Sequence, residues 1–115
     1  MSDDCIFCRI ARGELSTTFV AESEQNVAFR DLAPQAPTHV LVVPRQHLAS
    51  LQHAVPEHAD IVADALSLAA EVARREGLLE SGFRVVTNDG PDAGQTVHHL
   101  HFHVLGGAPL HVGLG

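Results

Sequence analysis

The chain has 115 residues, 45% hydrophobic and 18% charged, with a formal net charge of −7. That length and balance fit one globular domain over residues 1–115 and exclude a disordered chain. No apolar run reaches the roughly 18 residues that span a bilayer, and seven basic residues are too few for a broad nucleic-acid surface.

The start, Met1-Ser2-Asp3-Asp4, is polar and acidic and lacks the basic and apolar regions of a signal peptide, which points to the cytoplasm. Cys5 and Cys8 follow as a C-x-x-C pair. In a reducing compartment that spacing favours metal ligation or redox chemistry over a structural disulfide. A thioredoxin-like pair follows a strand, and no strand fits ahead of Cys5. Zinc is therefore the preferred partner, given two further ligands.

Residues 5–12 read as a short helix ended by Gly13. Residues 17–22 and 26–31 read as two strands joined in a hairpin at Ser23-Glu24-Gln25. Pro34 and Pro37 make the next segment a loop, and residues 39–43 form a buried strand closed by Pro44. A long helix opens at Pro56, holds Glu57 and Asp60 in its first turn, and closes with Arg74 and Arg75 before Gly77. Ile61, Ala65, Leu68, Ala69 and Val72 give it one apolar stripe. Residues 83–88 read as a strand and residues 89–94 as a turn. The last element is His99-Leu100-His101-Phe102-His103-Val104-Leu105. As a strand it sets His99, His101 and His103 on one face, with Leu100, Phe102 and Val104 on the other. Taken alone, this segment also fits a histidine-rich surface strand or a metal-binding tract. The order β-β-β-α-β-β predicts an α+β fold, an antiparallel sheet with one main helix.

The segment Gly94-Gln95-Thr96-Val97-His98-His99-Leu100-His101-Phe102-His103-Val104-Leu105-Gly106-Gly107 resembles the signature of the histidine triad (HIT) superfamily. Ile6-Phe7-Cys8-Arg9-Ile10 and Phe29-Arg30-Asp31-Leu32-Ala33-Pro34-Gln35-Ala36-Pro37-Thr38-His39 resemble its Hint branch, the histidine triad nucleotide-binding proteins. The resemblance runs from about Cys5 to the last residues. It implies a five-stranded sheet with one long helix and one short N-terminal helix, and a homodimer whose sheets join into ten strands. It also implies a purine nucleotide (AMP, adenosine or GMP) as ligand and hydrolysis of nucleoside phosphoramidates or acyl-adenylates to AMP.

Imidazole suits that chemistry. One ring nitrogen attacks phosphorus while the other donates a hydrogen bond that fixes the tautomer, and the covalent phosphohistidine divides one hard step into two. The middle histidine, His101, is the natural nucleophile, and the resemblance assigns it that role. His103 corresponds to the triad member that contacts the phosphate. Thr96 stands where a serine is common, and Gly94, Gln95 and Asn88 match phosphate-side positions. Asp31 matches the aspartate that bonds the ribose hydroxyls, although an aspartate there also fits a plain turn. Ile6, Phe7, Ile10, Phe29 and Leu32 match purine-wall positions and equally fit core. Arg30 replaces a frequent histidine, and His39 matches a histidine near the site.

The resemblance further implies a structural zinc held by Cys5, Cys8, His47 and His99, with no catalytic cofactor. His99 then supports the site from behind instead of acting as acid or base. His98 has the wrong parity for the site, and His53, His58 and His111 read as surface residues. In the tail, Val112 stands where some relatives carry tryptophan. Two other functions fit the triad: a dinucleoside polyphosphate hydrolase of the Fhit type, usually a longer chain, or a non-catalytic nucleotide or zinc sensor.

Overall fold

The computed structural model describes residues 4–111, so Met1 to Asp3 and the tail from Val112 onward lie outside the described residues. The elements in chain order are α1 (Ile6–Ala11), β1 (Ala21–Glu22), β2 (Asn26–Arg30), β3 (Thr38–Pro44), α2 (Ala59–Arg75), β4 (Phe83–Val86) and β5 (Phe102–Gly106). The five strands form one antiparallel sheet in the order β1-β2-β3-β5-β4, the α+β architecture that the sequence predicts.

β3 sits at the centre because all seven of its residues are buried, and a strand apolar on both faces needs cover on both sides. One cover is α2, whose stripe of Ile61, Ala65, Leu68, Ala69 and Val72 packs on Ala28, Val40, Val42, Leu100, Phe102 and Val104. The other is α1, whose Phe7, Ile10 and Ala11 pack on Val27, Phe29, Leu41 and Val43. Gly77, at φ +74°, ends α2 in the left-handed conformation, its N–H donating to the Arg74 carbonyl. Gly106 allows a close approach: a Cβ there would meet Leu78 Cδ1 at 2.8 Å.

Four sequence expectations are corrected. α2 starts at Ala59, not at Pro56, which lies in the turn before it. β1 is two residues long: its register with β2 runs only over Ala21↔Ala28 and Glu22↔Val27, and the Val20 N–H makes one last bond to the Ala28 carbonyl. β4 stops at Val86, and Thr87 spends its hydroxyl on the His101 carbonyl. The triad does not share one strand either: β5 begins at Phe102, so only His103 is a strand residue. The last β3–β5 pair is Val42↔Phe102, because Pro44 has no N–H to extend the ladder. The Leu100 N–H goes to the Leu48 carbonyl instead, at 2.6 Å. The side-chain alternation survives this break, since Leu100, Phe102 and Val104 all join the α2 side of the core.

Candidate active site and metal centre

A cavity of about 310 Å³ opens between α1, the end of β2 and the triad. It is walled by Ile6, Phe7 and Ile10 from α1, by Phe29, Arg30, Asp31 and Leu32, and by Thr96, His101 and His103. Thr17, Leu41 and Val97 complete it, and sequence reasoning passed over all three. Leu41 reaches the site by pairing with His103 across β3–β5, a register that the sequence does not display.

At its base the two histidines present opposite chemistry. His101 Nδ1 lies 2.7 Å from the His99 carbonyl, which only accepts, so Nδ1 carries the proton and Nε2 keeps its lone pair. For His103 the order is reversed. The Gln35 N–H donates to His39 Nδ1 at 3.0 Å, so the proton of the neutral His39 ring is on Nε2. That Nε2 donates to His103 Nδ1 at 2.9 Å, which leaves the His103 proton on its own Nε2. One ring offers a nucleophilic nitrogen and its neighbour, 5.1 Å away between centroids, an N–H donor.

Asp31 sits at the rim with both oxygens held: Oδ1 accepts from the Ala33 N–H at 2.8 Å, and Oδ2 lies 3.4 Å from His39 Nε2. The turn reading and the site reading of Asp31 therefore describe one geometry. Arg30 is clamped by Glu76 through two bonds of 2.9 and 3.0 Å. Three expected phosphate-side residues do not line this cavity. Asn88 lines a separate space of about 340 Å³ that also borders His39 and His103, and its amide donates to the Ala93 carbonyl. The Gln95 amide is committed to the Ala49 and Val97 carbonyls and to the Gly90 N–H. Gly94, at φ +83°, closes the turn before it.

Burial pushes His103 down to about 4, helped by His101 and His39, and lowers His39 against the pull of Asp31. A histidine with a depressed value binds fewer protons folded than unfolded. The His103 contribution is therefore intact above 6.5 and is lost as pH falls from there toward about 4. Denaturation midpoints should fall on acidification through that window, and a His103→Gln variant should flatten the slope.

The second cluster lies behind the first. His99, fully buried, donates from Nε2 to the Pro44 carbonyl at 2.8 Å, so its Nδ1 lone pair faces the sulfurs of Cys5 at 3.2 Å and Cys8 at 3.5 Å. His47 Nδ1 lies 3.3 Å from Cys8 Sγ. All four donor atoms fall within 4.8 Å of one another. Tetrahedral zinc, with bonds of about 2.3 Å to sulfur and 2.0 Å to nitrogen, sets S···N at roughly 3.5 Å. The His99–Pro44 bond is the outer contact that orients a ligating imidazole. Burial, with Cys5 beside it, pushes the Cys8 thiol up to about 11, and burial pushes His99 down to about 4. A dication would reverse the first and suits the neutral ring of the second. The donor set fits zinc.

Asp31, His39 and His103 also converge within 4.8 Å. The proton on His39 Nε2, fixed by the Gln35 N–H at the far side of the ring, leaves no lone pair there for a cation.

Residues 12–110 match the HIT domain family. The chain is 37% identical over 110 residues to the purine nucleoside phosphoramidase of Escherichia coli, covering 96% of this chain and 92% of that one. It is 46% identical over 107 residues to a 14 kDa zinc-binding protein of Zea mays, covering 91% and 83%. A HIT family hydrolase from Clostridium thermocellum superposes with a TM-score of 0.94 at 39% identity, over 99% of both chains. The chain belongs to the HIT domain family.

Proposed function

We propose that this chain is a single-domain nucleotide-binding hydrolase that cleaves purine nucleoside phosphoramidates, and acyl-adenylates of similar shape, to AMP. Relatives named as hydrolases and as a phosphoramidase support the hydrolase class. The observation that carries the reading is the opposed protonation of two adjacent rings, a lone pair on His101 Nε2 beside an N–H on His103 Nε2.

His101 Nε2 attacks the α-phosphorus, the P–N bond breaks, and the amine leaves with a proton taken from solvent, which the water of the second step later returns. The positive charge left on the ring is stabilised by the Nδ1–H bond to the His99 carbonyl. The His103 N–H bonds a non-bridging oxygen as charge builds there. Water then attacks the phosphorus, releases AMP and restores His101. Phe7, Ile10 and Phe29 wall the purine, and Asp31 accepts from the ribose hydroxyls. Zinc held by Cys5, Cys8, His47 and His99 is structural and takes no part in these steps. The setting is cytoplasmic. Two chains join through the β4 edge, where Phe83 and Val85 are exposed, and sedimentation at twice the chain mass is the check.

The test is a substrate panel. Adenosine 5′-phosphoramidate should exceed a diadenosine polyphosphate in kcat/KM by about 100-fold or more. The 2′-deoxy phosphoramidate should be about tenfold poorer than its parent, having lost one bond to Asp31. A preference for the dinucleotide would make this a Fhit-type hydrolase. Binding of AMP with turnover of neither would make it a sensor.

A further inference from the structure

Helix α1 serves two sites at once. Cys5 caps it and Cys8 lies in its first turn, both facing His99, while Ile6, Phe7 and Ile10 of the same six residues wall the nucleotide cavity. The Phe7 ring meets both His99 and His101 edge-on, at centroid distances of 5.9 and 5.1 Å. A helix of one and a half turns does not persist by itself, so its position depends on what anchors it. The two sulfurs are such anchors, tying it to His47 after β3 and His99 before β5.

One of these sulfurs, that of Cys5, can be reached from outside. A second space of about 430 Å³ borders Cys5 and His47, with Asp4 and His98 also lining it. Cys5 is half-buried and Cys8 is fully buried behind it. Both sulfurs contact one nitrogen, His99 Nδ1, and the Cys8 N–H points at Cys5 Sγ from 3.4 Å. The pair is thus within a small shift of disulfide contact.

We propose that Cys5 and Cys8 form an oxidation-sensitive clamp on the nucleotide cavity, closed by a bound metal and released when hydrogen peroxide converts the pair to a disulfide. The Cys5 thiolate attacks the peroxide, forming an S–O bond as the O–O bond breaks, and hydroxide leaves. The Cys8 thiolate then attacks Cys5 Sγ, forming the S–S bond as the S–O bond breaks, and the second oxygen leaves as hydroxide. Two protons from solvent convert both hydroxides to water, so the sulfurs lose two electrons and the peroxide gains them. With both thiolates consumed, the metal departs and α1 loses its tie to His47 and His99. The effect on ligand binding rests on the nucleotide reading of the cavity.

The test treats zinc-loaded protein with hydrogen peroxide. It reads metal release with a chromophoric chelator, intact mass, and AMP affinity by calorimetry. The expected result is loss of the metal together with two hydrogen atoms of mass. The AMP Kd should rise at least about tenfold, because binding must now order the cavity wall. Thiol reductant with zinc should restore the affinity. Oxygen added to one sulfur without a disulfide overturns the clamp, as does loss of the whole fold on oxidation. Normal AMP binding by untreated protein that oxidation leaves unchanged overturns the clamp alone. No AMP binding before treatment overturns the nucleotide reading and the clamp with it.

Discussion

Alanine at His101 lowers turnover of adenosine phosphoramidates by at least about 10⁴-fold, while AMP affinity changes only a few-fold. The reason is that nothing nearby can replace the lost nitrogen. His103 Nδ1 is engaged by His39, and His99 turns its lone pair toward the cysteines. Among the described residues, no other imidazole lone pair is directed at the phosphate end of the cavity by its hydrogen bonds. The variant also leaves the His99 carbonyl without its donor and opens a small void beside Phe7, so circular dichroism should accompany the kinetics. A His101→Gln variant keeps most of the volume and should be equally inactive. Single-turnover rates of both, set against AMP binding by calorimetry, check the prediction. Turnover retained in either would remove His101 as nucleophile.

The largest effect on stability is expected from Cys8→Ser. Cys8 is fully buried and its sulfur lies against both His47 and His99, so it is central to the proposed zinc site. A buried hydroxyl there neither ligates zinc well nor matches the polarisable sulfur. Because the energy of binding a structural metal is energy of folding, its loss should lower Tm by at least about 10 °C. Metal analysis should show the zinc gone. Chelation of the wild type in the presence of a thiol reductant should give a Tm drop of similar size. A variant that keeps its zinc, or loses it with no change in Tm, contradicts the structural role.

Much of this was legible because it depends on local pattern. The α2 stripe, the C-x-x-C pair and the alternation from His99 to Val104 each put particular side chains on one side of an element. Other features depend on partners distant in sequence. The run from Thr38 to Pro44 is buried throughout, so it carries no alternation to show that Leu41 faces the cavity. The His39–His103 bond spans 64 positions, and the proton arrangement it enforces needs Gln35 as well. Pro44 reads correctly as the end of a strand. Its effect on the neighbour, where β5 starts only at Phe102, appears once the register is known. Gln95 and Asn88 have amides suited to a phosphate, but here those amides brace the turns around Gly90 and Ala93.

The central claim is that His101 Nε2 becomes covalently bonded to phosphorus, and rapid-quench mass spectrometry of the zinc-loaded protein mixed with adenosine 5′-phosphoramidate tests it most directly. The account predicts an early species heavier by one adenylyl group, mapped to the peptide containing His101 and absent from His101→Ala. Rapid AMP release with no adduct at any quench time, or an adduct mapped to another residue, would contradict it.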